Sequence, residues 1–171
     1  LDGRAGEIVA LVGVEGSGSR ELIRSFAGLE RCTGTITISG ESGVRAIDMM
    51  TAYVPATRQL SLYSNLSVGE NLLVRLGSRE IAGPALLLRT RRMKQMAEDA
   101  VVRFLVKTRT TSQAIRSLSG GNQQKVVIAQ ALHCAPKLRL LEEPTRGVDF
   151  HSKAEIYRLL RDYADDGHVV M

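Results

Sequence analysis

Three stretches of this sequence carry residues whose types and spacing could do chemistry. Leu118 to Lys125 read LSGGNQQK, a Ser-Gly-Gly turn leading into a helical segment. Such a turn leaves backbone N–H groups unshielded at a helix start, where they bind anions. Leu140 to Asp149 read LLEEPTRGVD, an apolar strand that ends in two carboxylates, Glu142 and Glu143. That is a place for a metal ion and an activated water. Gly13 to Gly18 read GVEGSG, a loop in which glycines let a phosphate approach the backbone without meeting side chains. Together the three point to a nucleoside triphosphate.

These groups need elements to hold them. Glu7 to Val12 is a continuous apolar run of the kind found in a buried parallel strand, and it runs straight into the glycines. Arg20 to Ala27 then places Leu22, Ile23, Phe26 and Ala27 on one helical face, which completes a strand, glycine loop and helix. Thr33 to Ser39 alternates and ends at Gly40-Glu41-Ser42-Gly43, predicting an antiparallel hairpin beside the main sheet. Thr51 to Val54 is a short strand stopped by Pro55. From about Leu60 to Arg116 the β-branched runs give way to helix formers. Ser67-Val68-Gly69-Glu70 is a capping box opening a helix through Leu73, broken at Ile81-Ala82-Gly83-Pro84. Arg91 to Val106 is a longer helix with Met93, Met96, Ala97, Ala100, Val101 and Phe104 at helical spacing, the methionines being core filler. A helix over 121–133, a strand over 138–141, a helix over 152–164 and the start of a strand at His168 to Met171 follow. The expected fold is α/β, with a P-loop NTPase (RecA-like) core over 1–58 and 118–171 and an inserted helical subdomain over 59–117.

Length and composition bound the rest. The 171 residues suffice for one α/β domain with a real core, and 44% hydrophobic with 24% charged residues is an ordinary globular composition. No apolar run approaches the roughly 20 residues of a membrane span. The first residues lack the layout of a signal peptide, so a cytoplasmic location is expected. Cys32 and Cys134 fit no metal or redox spacing and read as reduced structural thiols. The net charge of +5 could suggest nucleic acid, but the basic residues are scattered except for Arg89, Arg91, Arg92 and Lys94, which read as a solvated helix face.

The motifs, in their order, resemble the nucleotide-binding domain of an ABC transporter. The resemblance is strongest to the second, C-terminal copy in the tandem ATPase subunits of bacterial sugar and nucleoside importers. It is carried by GEIVALVGVEGSGSREL at Gly6 to Leu22, AYVPATR at Ala52 to Arg58, NLSVGENLL at Asn65 to Leu73, LSGGNQQK and LLEEPTRGVD, and covers nearly the whole chain. It implies ATP and Mg²⁺ as ligands, with Gly13, Val14, Glu15, Gly16, Ser17, Gly18, Ser19 and Arg20 around the phosphates. It implies Glu143 as the catalytic carboxylate that polarises water, Glu142 as the magnesium ligand and Asp149 as the D-loop aspartate. Leu118, Ser119, Gly120, Gly121, Asn122 and Gln123 form the signature, which in the family closes on the ATP held by a second nucleotide-binding domain. Implied partners are that second domain, expected in the same polypeptide, transmembrane permease subunits on the cytoplasmic face of the inner membrane, and indirectly a solute-binding protein. Nucleic acid is not among them.

Several positions depart from the family pattern. After Gly18 the pattern has lysine and then Ser or Thr, where this chain has Ser19 and Arg20. A lost charge-assisted contact is worth roughly 1.5–3 kcal/mol, or about 10-fold to 150-fold in affinity. Arg20 stands one place late and would point about 100° away on a helix. Glu142 replaces the usual aspartate, and Ala56 stands where glutamine or glutamate bridges metal and permease. The switch histidine is expected a few residues beyond Met171 and the adenine-stacking aromatic before Leu1, so the core is expected to be incomplete at both ends. His168 reads as a polar strand-entry residue. The expectation is an asymmetric pair: this domain's own ATP site is degenerate, while its signature completes the partner's site. Two readings stand beside it, a catalytically silent structural or regulatory ABC half and a soluble ABC ATPase outside transport.

Overall fold

A parallel sheet carries the candidate acidic residues. In the computed structural model, which describes residues 1–42, 47, 50–76, 81, 88–134 and 136–171, strand β3 (Thr51–Val54) alternates half-buried and buried residues before Pro55 ends it. It pairs in parallel with β4 (Leu138–Leu141), Thr51 opposite Leu138 and Val54 opposite Leu141. β4 pairs in parallel with β5 (Val169–Val170). A strand with neighbours on both sides and covered faces must be apolar throughout, and Leu140 and Leu141 are buried accordingly. Arg139 breaks the pattern yet is 1% exposed. Its guanidinium lies 4.5 Å above the Tyr163 ring, a cation–π contact, and Tyr163 stacks in turn on His168 at 4.1 Å.

The N-terminal run departs from the expected buried strand over 7–12. Ile8 makes a single parallel bridge to Val170, with Val9 N–H donating to the Val170 carbonyl. β5 bonds to Glu7 and Val9 through Val170. Val12 is 94% exposed. The glycine loop follows, and helix α1 (Ser19–Phe26), with Ile23 and Ser25 buried, packs on β4. Leu22, expected on the same apolar face, is exposed. The hairpin is shorter than the alternation suggested, with β1 (Thr37–Ile38) antiparallel to β2 (Glu41–Ser42). Ser39 and Gly40 between them have φ of 53° and 83°, the left-handed pair of a type I′ turn.

Two compact units divide these elements: Leu1–Ala56, Ala135–Pro144 and Tyr157–Met171 make one, Thr57–Cys134 and Thr145–Ile156 the other. The sheet, hairpin and α1 belong to the first. The second is helical. Its α2 (Val68–Leu73) opens with the expected capping box, Ser67 accepting from Glu70 N–H while the Glu70 carboxylate accepts from Ser67 N–H. α2 packs on α3 (Thr90–Arg103) and on α4 (Gly120–His133). α3 buries Ala97 and Ala100, half-buries Met93 and Met96, and leaves Arg91, Arg92 and Lys94 exposed as expected. The expected break at Ile81-Ala82-Gly83-Pro84 falls mostly outside the described residues, only Ile81 being among them.

α4 and residues 145–156 cluster with the helical unit, whereas the sequence assigned 118–171 to the core. The packing of α4 on α2 is the reason: residues 124–132 of α4 are all buried. Asn71 and Lys125 are two buried polar residues of this unit that find partners. Asn71, fully buried, donates to the Tyr63 and Ser67 carbonyls and accepts from Tyr63 N–H. Lys125, 1% exposed, donates to the Leu105 carbonyl at 2.9 Å and pairs with Glu155. Helix α5 (Phe150–Asp165) starts in this unit and ends in the first.

Candidate functional site

The glycine loop is built by backbone conformations that side chains resist. Gly16 and Gly18 have φ of 82° and 85°, and a Cβ on Gly13 would stand 3.1 Å from Ser17 Cβ and 3.2 Å from Ser19 Oγ. Ser17 N–H donates to the Val14 carbonyl, closing the turn. Gly18 caps α1 and, having no side chain, makes no cap hydrogen bond to it. Val14 and Glu15 are exposed on the loop, and the Ser17 and Ser19 hydroxyls lie 3.3 Å apart. These first N–H groups of α1, with the helix dipole behind them, form an anion-accepting turn.

The two carboxylates stand at the end of β4, in the same unit. Glu142 N–H donates to the Val54 carbonyl, extending the β3–β4 ladder by one bond and fixing where its side chain starts. That side chain is 3% exposed and its partners surround it. Oε1 receives Arg24 Nη2 at 3.1 Å and lies 3.4 Å from Arg20 Nε, while Oε2 receives Arg24 Nε at 3.2 Å and the Tyr53 hydroxyl. Glu143 is 44% exposed at its side chain and pairs with Arg20 Nη2. Its φ of 46° puts a non-glycine residue in the left-handed region, a conformation that costs energy and is concentrated at functional sites. Burial first, and then the bond to Glu142, push the Tyr53 phenol up to about 12. Tyr53 therefore enters the cluster as a neutral donor.

Arg20 thus reaches both carboxylates, although as the residue after the usual lysine position it was expected to point away. Arg24 and Tyr53 were not singled out as site residues. The signal was present in the spacing: Arg20 and Arg24 stand four apart on α1 and so share a face. Whether that face met the end of β4 was not legible, because β4 lies more than a hundred residues later. Ala56 is half-buried just after β3 and carries no donor or acceptor on its side chain.

The signature turn and Asp149 belong to the other unit. Ser119 is exposed and caps α4, its hydroxyl accepting from Asn122 N–H at 3.5 Å and from Asn122 Nδ2 at 2.9 Å. Both contacts use the acceptor side of the hydroxyl, leaving its proton for a ligand. Asn122 Oδ1 accepts from Lys107 N–H at 2.7 Å, and Gln123 Nε2 donates to the Leu118 carbonyl at 3.2 Å. Leu118 is buried and anchors the turn. Gly120 faces Arg58, whose Nη2 would lie 3.2 Å from a Cβ there. At Gly121 a Cβ would stand 2.9 Å from Ser152 Cβ and 3.1 Å from Asp149 Oδ2, so only glycine fits. Asp149 caps α5 by accepting from Ser152 N–H at 2.9 Å, and this bond, first among several, holds its carboxyl below the usual range. The start of α4 is therefore braced against the start of α5 at Gly121, beside Ser152 and the capping Asp149.

A magnesium ion bound by Glu142 would need an open lone pair. A carboxylate offers about four such positions. Four donors already meet Glu142, two of its contacts coming from a single guanidinium. The donor set as it stands does not fit a divalent cation. Among the described residues no group of three or more His, Cys, Asp or Glu is placed to hold a metal ion.

Comparisons with known proteins give the family and the fold. Residues 1–146 match the family described as ABC transporter. The chain is 36% identical, over 98% of its length, to the uncharacterized ABC transporter ATP-binding protein YphE of Escherichia coli K12, covering 34% of that protein. It is 36% identical to the ribose import ATP-binding protein RbsA 2 of Burkholderia pseudomallei 1710b, over 98% of this chain and 33% of that one. The D-allose import ATP-binding protein AlsA of E. coli K12 is 34% identical over 97% of this chain and 34% of its own length. The chain thus spans about a third of the length of these relatives. In fold it is similar to the ATP-binding cassette MJ0796 in a dimeric post-hydrolysis state bound to ADP and phosphate. The TM-score is 0.78 at 24% identity over 99% of this chain and 75% of that one. CbiO1 of Clostridium perfringens, part of the transporter complex cbiONQ, gives 0.77 at 23% identity over 97% and 66%. With this P-loop NTPase fold and this family match, the chain belongs to the ABC transporter family.

Proposed function

We propose that this chain is the ATP-binding component of an ABC importer for a sugar or related solute, coupling ATP binding and hydrolysis to transport. The observation that carries the reading is the signature turn: an exposed Ser119 hydroxyl with an unused proton, at the start of a helix whose Gly120 lies against Arg58 and whose Gly121 lies against Ser152 and Asp149. Such a turn can donate to the terminal phosphate of an ATP held elsewhere. The relatives named for ribose and allose import support the solute class.

In this reading the signature, Leu118 to Gln123, serves a second nucleotide-binding domain, expected in the same polypeptide. Transmembrane permease subunits bind the pair at the cytoplasmic face of the inner membrane, and a solute-binding protein delivers the substrate to them. No helix among the described residues is long and apolar enough to cross a membrane. Asp149 is assigned to communication between the domains. The chain's own loop, Gly13 to Arg20, takes nucleotide weakly, lacking the lysine at Ser19. The second reading, a half silent in hydrolysis, is favoured at this loop by the arginines on Glu142 and Glu143. Glu143 is assigned as the water-polarising carboxylate only when Arg20 leaves it.

The experiment is transport and ATPase measurement in the assembled importer. Ser119→Ala should lower both by about 100-fold, the scale of losing one donor to a developing charge. Ser19→Lys should change them less than about 3-fold if turnover belongs to the partner's site, far below the full value of a charged contact. Undiminished transport with Ser119→Ala would sink the proposal.

A further inference from the structure

We infer that Glu142 is an anchor for arginine and not a cation ligand, so that the phosphate loop of this chain takes a nucleotide without a divalent metal. The inference rests on the reading that Gly13 to Arg20 accepts a nucleotide, and it deepens that reading by naming the ligand's form. Its basis is the closed shell around a side chain that is 3% exposed. Arg24 grips both carboxylate oxygens, through Nε at 3.2 Å and Nη2 at 3.1 Å. Tyr53 donates to Oε2 and Arg20 Nε stands 3.4 Å from Oε1. A cation could reach Glu142 only by expelling one of these donors, each a hydrogen bond or ion pair to a charged group.

Charge bookkeeping leads the same way. Glu142 and Glu143 bring two negative charges, and Arg20 and Arg24 bring two positive ones. The charges of these four side chains sum to zero before any metal arrives. A divalent cation added to this cluster is attracted far less than one added to two bare carboxylates, because the guanidiniums repel it at close range. The positive charge that a metal would otherwise bring to a triphosphate is already present in the two guanidiniums. Arg20 lies in the first turn of α1, directly after the loop, and both arginine side chains keep more than a third of their surface exposed. Arginine presents five N–H donors, so each guanidinium retains donors beyond those spent on the carboxylates. The ligand class is therefore a metal-free nucleoside polyphosphate.

Two measurements on the chain test this. Binding of a fluorescent ATP analogue is followed in excess EDTA and in excess Mg²⁺, and binding of Mn²⁺ alone is followed by electron paramagnetic resonance. The expected affinity for the analogue is the same within about 3-fold in the two buffers, and no Mn²⁺ binds the wild-type chain. Arg24→Leu frees a lone pair on each Glu142 oxygen and should create a Mn²⁺ site and a tightening of about 10-fold or more on adding Mg²⁺. Tyr53→Phe, a milder opening of one lone pair, should move the same readouts in the same direction if Arg24→Leu does not fold. Wild-type binding that needs Mg²⁺, or wild-type Mn²⁺ binding that Glu142→Gln removes, overturns the inference. If no nucleotide binds in either buffer the nucleotide reading of the loop fails, and the Mn²⁺ measurement still decides the role of Glu142.

Discussion

Tyr53 shows how much a single residue can report. Its phenol is pushed up to about 12 from the ordinary 10.0, by burial first and by the bond to Glu142 next. The folded state therefore prefers the neutral phenol more than the unfolded chain does. The stability this contributes is fully present below pH 10 and is lost as the pH rises through the folded value near 12. Chemical denaturation should show unfolding free energy falling across that interval, and Tyr53→Phe should flatten the fall. An equally steep alkaline decline in Tyr53→Phe would place its cause elsewhere. At this scale the sequence made the acidic pair legible and left its partners hidden. Glu142 and Glu143 announce themselves by standing at the end of an apolar strand. Arg24 is an ordinary helical arginine until β4 is placed beside it.

At the scale of elements, local rules were the reliable ones. Ser67 and Glu70 form the capping box their spacing predicts, because both partners lie within one turn of helix. Ser67→Ala should lower stability by about 1 kcal/mol, measured by urea denaturation, the ordinary value of a lost cap. A loss below a few tenths would mean that the pairing of Ser67 with Ala114 and the packing of α2 fix that helix start without the cap. Strands β3 and β4 and helix α4 also stand within a residue of their expected positions, each having a clear apolar pattern and a clear stop. The run Glu7 to Val12 failed for the opposite reason. A strand exists only where another strand offers N–H and C=O groups, and pairing is a tertiary property that the apolar run by itself does not report.

Over the whole molecule, burial is uneven, and stability should follow it. Residues 124–132 of α4 are all buried, while residues 12–17 of the glycine loop are all exposed. Amide exchange followed by mass spectrometry should therefore find its slowest peptides in α4 and its fastest around Val12 to Ser17, with a contrast of orders of magnitude in protection. Comparable protection in the two segments would contradict the burial pattern. Each compact unit is also discontinuous in sequence, the chain passing between them after Ala56, Cys134, Pro144 and Ile156. A reading along the chain draws boundaries where composition changes, at about residues 58 and 118. The three-dimensional division follows packing instead, and takes α4 with the helices it touches.

The sequence alone determined what depends on residue type and short spacing: the glycine loop, the acidic pair, the capping serines, the signature turn and the family to which their order belongs. Hydrogen bonds across one turn of chain and the left-handed tolerance of glycine are local properties, so they can be read from neighbouring letters. Tertiary structure decided which charges meet. Arg20 and Arg24 lie more than a hundred residues from Glu142, and only the packing of α1 on β4 brings them together. That packing turns a motif that reads as a metal site into a carboxylate already occupied by arginine, since electrostatic partnership is set by distance in space and not by distance along the chain.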